Sequence, residues 1–295
     1  MHAAVRPAAA YAVLFAGLVC VSTSGPFFVM TGMDPYAVVF WRMALSAPIF
    51  LGWAAFRGEL RVAPGEWGRL VLGALLLAFH FVLWVKCFDL TDYASNLLLL
   101  VAQPIMAAWV AVHLGERRGR SLAAPIGMAV AGLLVIAGGD FALGGRALLG
   151  DLLCMVAGVA ITFFYVVTRR ARAGAPLSTF MGITFAIGAV VVAPLVWLSG
   201  VPIGGGKPGA ALWLAALVLV TTVAGHGLLN LAARHVGLFT LNIVIVLEPA
   251  IAIGLGALLF GATIGGVTAL GGALLVAAVL LGVRPETLPT KTAPR

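Results

Sequence analysis

Leu97 to Gly139 reads LLLLVAQPIMAAWVAVHLGERRGRSLAAPIGMAVAGLLVIAGG. From Leu97 to Leu114 no residue carries a full charge. Glu116 to Arg120 then packs four charges into five residues, and from Ser121 to Gly139 charge is absent again. About 20 consecutive apolar residues are needed to carry a helix across the hydrocarbon core of a bilayer. The stretch therefore predicts two membrane-spanning helices, about 93–114 and 122–139, joined by a short basic loop.

The same alternation extends in both directions. It predicts ten spans in all, the other eight at about 9–31, 36–56, 69–89, 149–168, 178–199, 211–233, 238–260 and 265–283. The chain has 295 residues, of which 62% are hydrophobic and 9% charged, and a mean hydropathy of +1.13. A soluble domain is about 25% charged, and this chain has too little polar surface to cover its apolar content in water. A soluble enzyme is excluded on that ground. Disorder is excluded on the opposite one, since there is far too much to bury. The expected class is an all-α polytopic membrane protein. Residues 1–25 imitate a signal peptide, but the apolar run continues through Pro26–Met30, which predicts a retained first helix.

Lysine and arginine set the orientation. With the N-terminus inside, 14 of the 18 fall on the cytoplasmic side and Arg146 and Lys207 outside, while Arg42 and Lys86 lie within spans. Both termini are expected in the cytoplasm of a cell whose inner membrane holds the protein. The net charge of +8 is thus accounted for by loops that set topology, and no nucleic-acid partner is expected. Cys20, Cys87 and Cys154 fall in apolar stretches without metal-ligand or disulfide spacing and read as inert thiols. No GxxxxGK[ST] loop is present, so ATP hydrolysis by this chain is not expected. Neither a cofactor nor a metal is expected.

The chain also repeats. Gln103-Pro104 lies midway along the fourth span and Glu248-Pro249 midway along the ninth, an offset of 145 residues. The same offset sets Ala124 on Ala269, Gly127 on Gly272 and Gly132 on Ala277. Helices 1–5 (residues 1–140) are then repeated as 6–10 (residues 141–285), with residues 286–295 as a cytoplasmic tail. Five is odd, so the second copy enters from the opposite side. Such inverted repeats surrounding a central cavity are a recurring plan of secondary transporters.

These residues resemble the EamA-type repeat of the drug/metabolite transporter superfamily. The resemblance rests on Pro104, Leu114-Gly115-Glu116, the basic Arg117–Arg120 loop and the glycine-bearing helix with Gly127 and Gly132. Phe40-Trp41-Arg42 and Leu247-Glu248-Pro249 add to it. It departs at Phe260-Gly261, where a closing glutamate would fall, and in the seventh span, which has no counterpart of Arg42. The resemblance implies a secondary transporter, with an exported amino acid or similar small metabolite as substrate. The alternatives are an intramembrane lipid-modifying enzyme, a non-transporting membrane partner and a channel.

Polar groups at mid-depth are costly, which makes each a candidate. Glu248 either binds a substrate ammonium or carries a coupling proton, or else it bonds within the bundle. Gln103 is its repeat mate. His80 and His226 occupy near-equivalent positions on helices 3 and 8 and suit a cavity lining or a proton relay. Trp84 and Asn230 share faces with them at i+4. Arg42 is deep enough to need a partner, with Asp34, Asp89 and Asp92 as possible mates, or a substrate carboxylate. Glu116, beside Arg117, is a candidate gate pin. Pro104 and Pro249 are expected helix breaks. Helices 5 and 10 carry small residues at four-residue spacing (Ala123, Gly127, Ala131; Gly265, Ala269, Ala273, Ala277) and no mid-span charge. They are expected to be scaffold, packed through those stripes.

Overall fold

A computed structural model describes residues 7–90, 98–113, 122–137, 145–171, 174–261 and 264–283. Among them every regular element is helical. In chain order these are α1 (Pro7–Ser22), α2 (Ser24–Thr31), α3 (Pro35–Phe56), α4 (Trp67–Leu90), α5 (Leu98–His113), α6 (Ala123–Ala137), α7 (Gly145–Ala171), α8 (Leu177–Ser199) and α9 (Ala210–Ala216). A π-helical segment (Leu217–His226), α10 (Gly227–Ala232), α11 (Leu238–Ile245), α12 (Glu248–Phe260) and α13 (Gly266–Gly282) follow.

Among the described residues seven stretches are long and apolar enough to cross a membrane: Ala8–Thr31, Pro35–Phe56, Trp67–Cys87, Leu152–Ala171, Leu177–Ser199, Ala210–Ala232 and Leu238–Leu258. The chain is an integral multi-pass membrane protein. Helices α5, α6 and α13 lie where the remaining three spans are expected, and within the described residues they run to 16, 15 and 17 residues. At 1.5 Å per residue that is about 22–26 Å, short of a hydrocarbon core of about 30 Å. Leu258 and Leu280 are 80% and 75% exposed, an arrangement suited to lipid and costly in water.

Two of the long rods are broken, each for a visible chemical reason. A proline has no amide proton, and its ring clashes with the carbonyl four residues back. Pro26 sets that fault at Ser22, where α1 ends. The hydroxyls of Ser22 and Thr23 donate to the carbonyls of Leu18 (2.8 Å) and Cys20 (2.6 Å). Pro249 sets the fault at Ile245, where α11 ends. Helix α5, by contrast, runs unbroken through Pro104. That proline's fault falls on Leu100, within the described helix, which stays continuous.

The principal packings are α3 on α8, α4 on α7, α6 on α13, α5 on α7 and α11, and α1 on the π segment and α10. The α6–α13 contact does not use the expected stripes. Ala123, Gly127, Ala131, Gly265, Ala269 and Ala273 are exposed, and Ala277 is half-buried. The buried face instead carries Ala129, Gly132 and Leu133 against Gly271, Leu275, Ala278 and Gly282. A Cβ on Gly132 would stand 2.7 Å from Leu275 Cδ2 and 2.9 Å from the Gly271 carbonyl oxygen. The register differs because lipid is as apolar as leucine, so apolarity does not mark which face turns inward. Glycines also permit the α1 crossing. Gly17 meets the Leu229 backbone and Gly225 the Val21 backbone, each at 3.0 Å from a Cβ position.

Helix α3 is tied at both ends. Trp41 Nε1 donates to the Ile203 carbonyl at 2.8 Å. At the other end Ser178 Oγ donates to Glu59 Oε2 at 2.6 Å, and Thr179 Oγ1 donates to the Glu59 carbonyl.

Candidate functional site

A cavity of about 50 Å³ lies inside the bundle where α1, α2, α3, α4, α5, α7, the π segment, α10, α11 and α12 approach one another. At about 10–15 Å³ for each water-sized occupant, it holds a few such groups. Arg42, His80, Trp84, Gln103, His226 and Glu248 all line it. Residues from both halves of the sequence therefore converge on one space.

Arg42 is at the centre of the polar contacts and is 2% exposed. Its Nε donates to Thr222 Oγ1 at 2.7 Å, Nη1 to Ser24 Oγ at 3.3 Å and Nη2 to His226 Nε2 at 3.2 Å. The guanidinium carbon stands 4.2 Å from the centre of the Phe81 ring, close enough for a cation–π contact. Of the expected acidic mates only Asp34 has a described side chain, and it does not pair with Arg42. Asp34 caps α3, accepting from the Tyr36 amide at 2.8 Å. The Asp89 side chain and all of Asp92 lie outside the described residues. Among the described residues no carboxylate comes within 4.0 Å of the guanidinium.

Donor chemistry fixes the state of both histidines. A guanidinium only donates, so His226 Nε2 accepts, and the ring is neutral with its proton on Nδ1. That Nδ1 is buried without a hydrogen-bond partner. His80 Nδ1 faces the Ala157 carbonyl at 2.9 Å. A carbonyl only accepts, so Nδ1 carries the proton there too. The edge of the His226 ring also meets the face of Phe81, with centroids 5.4 Å apart.

The π segment makes this geometry. It widens helix 8 just where Thr222 and His226 must face α3. Thr222 Oγ1 donates to the Leu217 carbonyl, five residues back, at 3.0 Å. Such segments recur at functional sites. Thr221 and Thr23 exchange a 2.6 Å hydroxyl bond that holds the segment to the break in the first rod.

Gln103 is 3% exposed, and its Oε1 is buried without a partner. Glu248, the first residue of α12, is half-buried. Pro249 directly follows it, so the break in the ninth rod sets the carboxylate at the cavity. Asn230 behaves otherwise: it is fully buried, lines no part of the cavity, and donates through Nδ2 to the His226 carbonyl at 2.8 Å. Glu116 lies outside the described residues. Ser24, Thr222 and Tyr165 belong to the site without having been singled out by sequence. The first two were legible only as hydroxyls in the runs Ser22-Thr23-Ser24 and Thr221-Thr222. Among the described residues no three histidine, cysteine, aspartate or glutamate side chains gather as metal ligands would.

The described helices of this membrane protein thus close around a small cavity lined by buried polar side chains. The family model of the EamA-like transporter family matches residues 8–138 and 148–284. The chain belongs to that family. It is similar to two proteins of Archaeoglobus fulgidus, each described as an uncharacterized transporter. One is 27% identical over 176 residues, 57% of this chain and 59% of that relative's length. The other is 24% identical over 269 residues, 90% of this chain and 93% of the relative. A solved structure titled "Crystal structure of protein" superposes with a TM-score of 0.81 at 19% identity, covering 93% of this chain and 96% of that one. It shares the fold.

Proposed function

We propose that this transporter is a secondary exporter of amino acids or similar small metabolites, moving them across the inner membrane by alternating access. The observation that carries the reading is the cavity itself. Buried polar groups in a bilayer are expensive, and here Arg42, His80, Gln103, His226 and Glu248 spend that cost in one place.

The helix pairings support ten spans arranged as two inverted repeats, residues 1–140 and 141–285. The contacts α3–α8, α6–α13 and α5–α11 each join a helix to its repeat mate. The contacts α4–α7 and α1–π segment exchange with each other under the same relation. A pseudo-twofold axis through the cavity has these properties, and broken helices beside a central site accompany it in secondary transporters. The distribution of lysine and arginine supports both termini inside.

An intramembrane lipid-modifying enzyme needs a general base oriented by a second group. Here His226 accepts from a guanidinium and His80 is tied to a carbonyl, an arrangement that favours binding over proton abstraction.

The test is counterflow into proteoliposomes holding the purified full chain. Vesicles preloaded with one amino acid at a time, and matched vesicles preloaded with glucose or choline, are diluted into the labelled compound. Accumulation of an amino-acid subset above protein-free vesicles is the expected result. Accumulation of none of the compounds would sink the reading.

A further inference from the structure

The unusual feature of the cavity is a charge that no carboxylate among the described residues meets at ion-pair distance. A guanidinium keeps its proton in any protein environment, so Arg42 is a permanent cation inside a membrane-spanning helix. Burying such a charge is affordable when a carboxylate answers it. Each group that Arg42 touches is neutral: two hydroxyls, an imidazole and a phenyl face. Glu248 lines the same cavity, but beyond ion-pair distance. Three of the five guanidinium N–H groups are used by Thr222, Ser24 and His226. One of those three goes to a histidine, which is held only as a neutral acceptor.

A second observation points to the same ligand. Gln103 Oε1 and the Glu248 carboxylate are acceptors on the same cavity. The first is buried and unpartnered, and the second takes no hydrogen bond or ion pair from a described residue. The cavity is therefore polarised, with donors at Arg42 and acceptors at Gln103 and Glu248. A molecule with one anionic and one hydrogen-donating end would satisfy both.

We infer that Arg42 is the anchor for a carboxylate on the transported molecule, which docks on the Nη1–Nη2 edge and displaces His226, while Gln103 and Glu248 receive its amine end. The inference rests on the transporter reading and narrows its substrate to compounds bearing a carboxylate. Arginine suits the task because its planar fork matches a carboxylate with two parallel bonds. The available volume of about 50 Å³ accepts a carboxylate group and little more. Docking therefore requires the π segment, which carries His226 and Thr222, to give way.

The experiment is uptake by proteoliposomes of the full chain from a mixed pool quantified by mass spectrometry. The pool holds L-leucine and L-phenylalanine, their amides, the corresponding amines, the corresponding carboxylic acids without the amine, and glucose. The expected result is uptake of the amino acids with the amides and amines at least about tenfold lower, since a charge-assisted pair is lost. Arg42→Gln should lower amino-acid uptake by at least about tenfold and Arg42→Lys by less, because lysine keeps the charge but not the fork. Amides or amines taken up as well as the acids overturn the carboxylate anchor and leave the transporter reading standing. So does an Arg42→Gln protein whose amino-acid uptake stays within about twofold of wild type. The ratio of acid to amide in the wild type decides even if Arg42→Gln fails to fold. Uptake of no pool compound overturns the transporter reading and the anchor with it.

Discussion

Helix α5 and the α11–α12 rod carry the same signature, a polar residue followed by proline, 145 positions apart, and the two halves use it differently. In α5 the helix stays continuous, and Gln103 enters the cavity as a buried neutral amide. In the second half the rod breaks before Leu247, and Glu248 begins a new helix with its carboxylate at the same cavity. The same proline step is therefore carried within a continuous α5 and coincides with a break in the α11–α12 rod. Of the two similar wedges one is a strut and the other a hinge-like break with a charge beside it.

The largest effect should come from exchanging the two polar residues. We predict that Glu248→Gln abolishes the pH dependence of transport and lowers flux by about tenfold or more, the loss expected when a charge-assisted contact is removed. Gln103→Glu in that background should restore flux only in part, because α5 offers no helix start beside the new carboxylate. Counterflow at several pH values measures both. A Glu248→Gln protein with unchanged pH dependence would remove Glu248 from coupling. Full restoration by the double change would show the two wedges to be interchangeable.

A smaller effect is expected at the scaffold, where the two glycines of α6 make their own contrast. Gly132→Ala places a methyl 2.7 Å from Leu275 Cδ2 and 2.9 Å from the Gly271 carbonyl oxygen, an overpacking of about 1–3 kcal/mol. Gly127→Ala meets nothing within 4 Å and should stabilise α6 by up to about 1 kcal/mol through helix propensity. Thermal unfolding in detergent should lower Tm in the first and hold or raise it in the second. The reverse order would return the contact to the Gly127 stripe.

Those two glycines also mark how far the sequence could be read. Helix positions were legible because an apolar run between basic loops has one economical solution in a bilayer. The inward face of α6 was not, since Ala123, Gly127 and Ala131 make as good a small-residue stripe as the one that packs, and lipid accepts either. At the site, Arg42, His80, Gln103, His226 and Glu248 stood out because mid-depth polarity is expensive. Ser24 and Thr222 did not, since a hydroxyl in a membrane helix is satisfied by its own backbone, as the Ser22–Leu18 bond illustrates. The π segment was invisible altogether: Leu217–His226 has no composition that separates it from α-helix. Asn230, four residues on from His226, is absent from the cavity lining and bonds the His226 carbonyl.

The smallest expected effect separates the prolines themselves. Pro249→Ala restores an amide proton that can reach the Ile245 carbonyl, and removes the ring that clashes with it. The gap at Val246–Leu247 should then close toward one continuous helix. Hydrogen exchange at residues 245–250 should slow, and Tm should rise by the worth of about one hydrogen bond, roughly 1 kcal/mol. Flux should fall, because Glu248 would lose its place at a helix start. Pro104→Ala supplies the same proton in a rod that is already continuous, so exchange near Leu100 should slow without any change in flux. Equal losses of flux in the two variants would mean that both wedges bend during transport. The difference between them would then belong to the conformation captured here, and the divergence would lie in the charge of Glu248 alone.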